Sequence, residues 1–427
     1  MSALFQPRFR SVAERTLALV LIATALNLLT DRLAATGVDP RPPLFLMDLS
    51  QRFDDFLKFI LSFSPHASIA TTAWDRGGVD DALRANPYLA GRGPHALTNL
   101  HVTPLTASYC LLMATLMRVV APSLVFGATL AALGGYWTAL VSRLVGGERQ
   151  LAWLLLGLVS YPSLMMATRG NVYAGAASLL IIHAMLMALR GRAPVAATLL
   201  LAVAVNIRPN AGLFLLPLLG LQPRPWRVLF IFGAASATIF AGSLAVAHAF
   251  YPAYTLSSFR AALVAYHYQY VMRDGGLAYG SSLFGAAKLI GGYSPTLEAV
   301  AGAVALAIVG AGIALHLRQP LRPPVLLFLT LAAYTLGSTV IADYHLIVFL
   351  LVPLAVAAER TPVSPISKAA AIVAALVLAP KNLVALGPVS WQVALNPLML
   401  LAASGVILAA EYRERRNGRP VLAPAGI

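Results

Sequence analysis

The sequence predicts an all-α, polytopic membrane protein of about twelve transmembrane helices with a long extracytoplasmic first loop, and three observations predict it. Hydrophobic residues make up 59% and charged residues 11% of the 427, and the mean hydropathy is +0.76. A soluble domain carries about 25% charged residues to keep its surface wet, so a large water-facing fold is excluded, and cytosolic metabolism and DNA binding are set aside with it. Apolar runs long enough to approach a bilayer's ~20-residue requirement recur along the chain. Half of the 16 acidic residues are gathered in one stretch, 31–100, that contains no such run. The net charge of +15 and pI of about 10.3 then read as lysines and arginines that set topology, not as a nucleic-acid footprint. The single cysteine, Cys110, allows no internal disulfide.

The first apolar run, 16–29, follows Arg8, Arg10 and Arg15. A signal peptide has this form, but an uncleaved anchor is expected, because only with this span counted do the later loops give an even number and put both termini on the basic side. The segment 31–100 has eight acidic residues against seven basic ones, net −1, while the rest of the chain carries +16. By the positive-inside rule it is extracytoplasmic. The stretch 101–145 holds two apolar runs split near Pro122. Charge parity allows one net crossing there, so one run is expected to be interfacial or re-entrant, with Pro104 and Pro122 as breakpoints.

Arg190-Gly191-Arg192 and Arg224-Pro225-Trp226-Arg227 mark inner loops. Between them the runs 193–207 and 210–221 are short for a bilayer, which leaves their connecting tip below the membrane surface. The runs 230–250, 299–317, 325–341, 345–358, 369–386 and 391–410 then alternate sides, with Arg318, Arg322, Arg360 and Lys368 on the inside. The whole chain, 1–427, is expected to be one transmembrane domain, multi-pass in the inner (plasma) membrane.

Several residues can carry chemistry. Asp54 and Asp55 lie between Arg52 and Lys58 in the outer loop, where a carboxylate can act as general base beside cations that bind a phosphate; a solvated amphipathic helix on the membrane surface fits the same residues. Asp48 is a lesser candidate. Arg208 is expensive inside an apolar hairpin and so is expected to meet an anion or water, or to snorkel to the interface. Arg169-Gly170-Asn171 starts a span at the outer side and Asn206-Ile207-Arg208-Pro209 ends one. His345, in Asp343-Tyr344-His345, opens a short span, so its imidazole is expected below the outer surface. The aromatic cluster 266–270 suits an interfacial belt or a sugar platform, and 280–285 suits a flexible turn that opens an amphipathic segment. No metal-ligand spacing, phosphate loop or nucleophile elbow is present, so no cofactor is expected, and a divalent metal stays open.

Asp55-Phe56-Leu57-Lys58-Phe59 in an acidic first outer loop, followed by Asn86-Pro87-Tyr88, resembles the membrane-embedded GT-C glycosyltransferases, and the chain is most similar to the glycosyltransferase 87 family. Gly170-Asn171 matches that family's Gly-(Gln/Asn) start of a span. Asn206-Ile207-Arg208-Pro209 resembles its Lys-x-x-Pro element, with arginine in place of lysine and one residue nearer the proline. Ser281 to Gly285 and His345-Leu346-Ile347-Val348 match two later elements, and the matches keep the family's order. The resemblance implies a GT-C-like fold and a transferase that moves a sugar, mannose favoured, from a polyprenyl-phosphate donor to a lipid or glycan acceptor at the outer face with inversion. It selects Asp55 as base, where composition leaves Asp54 and Asp48 as alternatives, and gives His345 a catalytic role with Arg208 on the departing phosphate. Arg208, with Arg169 or Arg260, would bind the donor phosphate; Asn171, Asn206, Tyr344 and Ser281 would line the substrate. The partners it implies are the donor, the acceptor and membrane lipids, and no nucleic acid.

The rival from another class is a secondary transporter or flippase of a lipid-linked or anionic substrate, which should show carboxylates within its spans and paired interrupted helices. In the sequence the acids concentrate in a loop, and only the short hairpin fits that reading. A structural scaffold is a third class, for which an acidic loop opposite buried arginine and histidine has no use.

Overall fold

The computed structural model describes residues 6–35, 102–117, 119–145, 150–191, 193–222, 224–272, 281–359, 363–379, 385–386, 389–390 and 392–417. Asp48, Asp54, Asp55, the Asn86-Pro87-Tyr88 motif and nearly all of the acidic first loop lie outside them. The described chain is overwhelmingly α-helical, as an apolar solvent requires, because a helix satisfies its own backbone donors and acceptors; the one sheet is a two-residue pairing of Ala385–Leu386 with Val389–Ser390.

Helix α1, Gln6–Ala35, contains the first apolar run. It continues through 31–35, so the first loop begins later than the charge pattern implies. Helices α2, Pro104–Leu116, and α3, Pro122–Val145, each begin on the proline expected to be a breakpoint. At the first turn of a helix a proline is tolerated, because the N–H it lacks would have no partner there. The same device starts α7, Pro194–Ile207, α9, Pro225–Phe250, α12, Pro295–Arg318, α13, Pro323–Leu336, and α15, Pro365–Leu378. Between these lie α4, Leu151–Val159, α5, Tyr161–Arg169, and α6, Val172–Leu189. Pro209–Phe214 is a 3-10 turn leading into α8, Leu215–Gly220. Then come α10, Leu256–Tyr266, a π-helical turn His267–Met272, and α11, Leu283–Gly291. A 3-10 helix Asp343–Leu350 runs into α14, Leu351–Ala358, and α16, Gln392–Arg416, ends the described chain.

Among the described residues five helices are long and apolar enough to cross a membrane, namely most of α3, then α6, α9, α12 and most of α16; α4 with α5, bent by 49°, is either a sixth, broken span or a re-entrant loop. The other apolar helices, including α2, α7, α13 and α15, are shorter than a span. About twelve full crossings are therefore not set by helix length alone.

The helices divide into pillars and rim. Every residue of α13 from Pro324 onward is buried, as is most of α6 and of α14, and these three form the centre. By contrast α9 buries only Val228, Ser243 and Ala247 and exposes Trp226, Phe230 and Phe250, the pattern of a helix whose solvent is lipid. Hydroxyls inside the pillars bond back along their own helices: Thr330 Oγ1 donates to the Leu326 carbonyl at 2.9 Å and Thr335 Oγ1 to that of Leu331 at 2.9 Å. At the basic end, fully buried Glu411 of α16 meets Arg322 at 3.5 Å and Arg415 at 3.2 Å, and Arg322 reaches Glu414 at 3.3 Å. This cluster clamps the start of α13 to the end of α16. Arg415 adds the carbonyl of Leu315 on α12 at 2.7 Å.

Candidate functional site

The expected span 345–358 begins as a 3-10 helix, and that geometry organises the site. With three residues per turn, successive side chains leave the axis ~120° apart, so Asp343, Tyr344 and His345 point in three directions from consecutive positions. Each meets a different part of the fold.

Asp343 is buried. One carboxylate oxygen accepts from the Ser281 hydroxyl and the other from the Tyr161 phenol at 3.4 Å. Ser281 Oγ in turn accepts from Asn396 Nδ2 at 2.9 Å. Four elements thus converge: the first residue of α5, the residues before α11, the 3-10 helix and α16. The backbone joins in, since the Ser281 N–H donates to the Ile341 carbonyl at 3.1 Å. Its neighbour Ser282 caps α11, accepting from the Gly285 N–H at 2.9 Å. The expected segment opens here, at Leu283, and from Ser281 onward its turn is a capped helix start. Asn396 Oδ1 is buried with no hydrogen-bond partner among the described residues.

Tyr344 points to α6. Its phenol oxygen accepts from Asn171 Nδ2 at 2.8 Å, while Asn171 Oδ1 accepts from the Ala174 N–H at 3.2 Å as the N-cap of α6. The amide can serve both only because α5 stops abruptly. Arg169 is its last residue, and Gly170 takes the left-handed conformation at φ 74° that ends a helix at little cost.

His345 takes the third direction. It is 5% exposed, and among the described residues neither ring nitrogen has a well-formed hydrogen bond, although the Ala342 backbone lies within reach of the ring. Its ring centroid lies 4.5 Å from that of Tyr344. Arg208 follows α7 in an extended conformation (φ −138°, ψ 100°), where the helix breaks before Pro209. It is close enough for its positive charge to act on both the His345 imidazole and the Tyr334 phenol. A half-buried arginine from one short hairpin thus acts electrostatically on a histidine from a distant part of the chain. Nearby, Asn210 Nδ2 donates to Ser338 Oγ at 3.1 Å and fastens the hairpin tip to the end of the α13 segment.

Arg208, His345, Asn171, Tyr344 and Ser281 are brought together, although Ser281 serves the Asp343 network. Asn206 stands apart: its Nδ2 donates to the carbonyls of Ala202 at 2.9 Å and Ser236 at 3.3 Å, which pins α7 against α9. Arg260 is exposed on α10, and the contacts of that helix do not lead to His345. The three candidate bases lie outside the described residues.

Sequence reasoning passed over Asp343, Tyr161, Asn396, Asn210 and Ser338. For Asp343 a signal existed: it is one of only eight acids outside the first loop, and it sits between Ile341 and the apolar run 346–358. The acids are thus not confined to the first loop, since Asp343 and Glu411 are both buried among the helices. For Tyr161 and Asn396 no local signal exists. Chemically the site offers a buried carboxylate held by two hydroxyls, a buried imidazole with no well-formed hydrogen bond among the described residues, and a guanidinium whose charge acts on it. That combination can bind and stabilise an anion. Among known proteins no family model and no curated relative matches the chain.

Proposed function

We propose that this protein is a membrane glycosyltransferase of GT-C-like fold with about twelve spans. It would transfer a sugar, with mannose the favoured one, from a polyprenyl-phosphate donor to a lipid or glycan acceptor, with inversion, at the extracytoplasmic face of the plasma (inner) membrane. The observation that carries the reading is His345: a buried imidazole with no well-formed hydrogen bond among the described residues, in the field of Arg208. Negative charge grows on the departing polyprenyl phosphate in the transition state, and preorganised cations and donors in a water-poor site stabilise it. Asp55 supplies the base that takes the acceptor hydroxyl's proton, with Asp54 and Asp48 as alternatives. A lipid-tailed donor also explains why such a site is sunk among apolar helices.

The test is incubation of the purified protein with a radiolabelled polyprenyl-phosphate mannose and membrane lipids. A new glycosylated product supports the reading; no product with any polyprenyl-phosphate sugar tried removes it.

A second reading, a transporter or flippase of a lipid-linked or anionic substrate, is favoured by one specific observation: buried Asp343 is bonded by Tyr161 at the bend between α4 and α5, and buried carboxylates at interrupted helices mark substrate paths. In sealed proteoliposomes this reading requires the labelled lipid to change leaflet with no change in its chemistry.

A further inference from the structure

The surface formed by α10 and the π-helical turn after it has no role in the site. The exposed apolar side chains Leu256, Leu263, Val264, Tyr268 and Met272 recur at helical spacing along it, with exposed Arg260 among them and Val264 67% exposed. The opposite face carries fully buried Ala262 and half-buried Phe259, with Val271 buried in the turn that follows. We infer that this arm dips from the interface into the acyl-chain layer beside α9, its exposed face on phospholipid acyl chains and the Arg260 side chain rising toward a phospholipid phosphate.

Depth is the argument for that occupant over a soluble protein. The Phe259 ring packs at 6.5 Å against Phe240, ten residues before the end of α9 at Phe250. At ~1.5 Å per residue, Phe240 lies ~15 Å down a span from its end. Phe259 therefore reaches back toward the middle of a helix whose own surface faces lipid, where Phe250 is 75% exposed. An apolar face at that level is continuous with the lipid-facing surface of α9 and is solvated by acyl chains. A guanidinium on a flexible stem can rise from it to the phosphate layer.

The arm is held at both ends by buried polar contacts. Tyr254 OH donates to the Val102 carbonyl at 2.5 Å, and Thr255 with Ser258 forms a capping box that starts α10. At the far end buried Lys288 of α11 donates to the Val271 carbonyl at 2.8 Å. The exposed face is thus presented rigidly, and the inference stands whether or not the protein transfers sugars.

In the full-length chain carrying Cys110→Ser, which keeps a hydroxyl for the Tyr173 phenol, single cysteines at Leu263, Val264 and Tyr268 are spin-labelled and reconstituted in phosphatidylcholine–phosphatidylglycerol nanodiscs. Their collision rates with oxygen and with a water-soluble nickel chelate are compared with those of Arg416→Cys on the polar tail. The oxygen-to-nickel ratio should be several-fold higher at all three arm positions than at 416, with Arg260→Cys between them. Nickel-dominated values on the arm, or low values for both reagents as expected under the first loop or a second copy of the chain, overturn the proposal; a label at 260 as wet as that at 416 overturns the arginine's lipid contact. Should the labelled variants misfold, a photoactivatable acyl-chain phospholipid applied to the wild-type protein should leave adducts within 256–272. Adducts on α9 alone overturn it equally.

Discussion

Asn171 and Tyr344, 173 residues apart, are joined at 2.8 Å by a hydrogen bond from the amide of one to the phenol of the other, and this bond fixes the 3-10 helix that carries His345 against the start of α6. The amide's other end caps α6, so one side chain sets a helix start and the orientation of the site segment together. Tyr344→Phe should remove only the cross-link, at about 0.5–1.5 kcal/mol. Asn171→Ala should cost more, because the cap alone contributes about 0.5–2 kcal/mol. Thermal unfolding in detergent orders the two variants, and a double mutant no less stable than Asn171→Ala would show the coupling expected of partners in contact.

The Asp343 network should respond according to what is left behind. Asp343→Ala strands the Tyr161 and Ser281 hydroxyls and should lower stability by about 1–3 kcal/mol. Asp343→Asn keeps an acceptor oxygen and should cost less. Tyr161→Phe, which removes one donor at 3.4 Å, should be the mildest. An Asp343→Ala variant as stable as the wild type would mean that the carboxylate ties nothing together.

Arg208 and His345 should act on one phosphate. Arg208→Ala or His345→Ala should raise the donor KM or lower kcat, with a loss of the order of 10²–10³-fold where the interaction belongs to the transition state. Expression and unfolding temperature should stay near wild type. Donor turnover unchanged in both variants would take the pair out of the site.

For the base, Asp55→Asn should lower transfer by ~10²-fold to 10⁴-fold with donor binding retained. Adjacent residues on a helix point ~100° apart, so Asp54→Asn should act only through the local field and be milder. An active Asp55→Asn beside a dead Asp54→Asn or Asp48→Asn would move the base within the loop.

At the opposite end, Glu411→Gln removes a fully buried carboxylate from between Arg322 and Arg415. Breaking a buried pair costs about 3–5 kcal/mol; the Arg322 side chain keeps 23% exposure, so the lower part of that range is expected. Since the cluster joins α12, α13 and α16, the loss should appear in thermal unfolding and leave donor KM unchanged.

The sequence by itself determined the all-α apolar class and, at Pro104 and Pro122, two helix starts. Composition decides the solvent, and prolines at 104, 194, 225, 295, 323 and 365 begin helices for a local reason, the N–H they lack. It also singled out Arg208, Asn171, Tyr344 and His345, because cations and amides are costly in apolar segments and so stand out there. Only the tertiary structure decided what these residues meet. The 3-10 start at Asp343, which sends three neighbours in three directions, has no periodic signature in so short and uniformly apolar a run. That Asn206 pins α7 to α9 while Asn171 reaches Tyr344 cannot be read from two similar asparagines. The joining of Asp343 to Ser281, Tyr161 and Asn396 depends on helices far apart in the chain meeting at one depth, and side-chain partners across such separations are set by packing, not by local sequence.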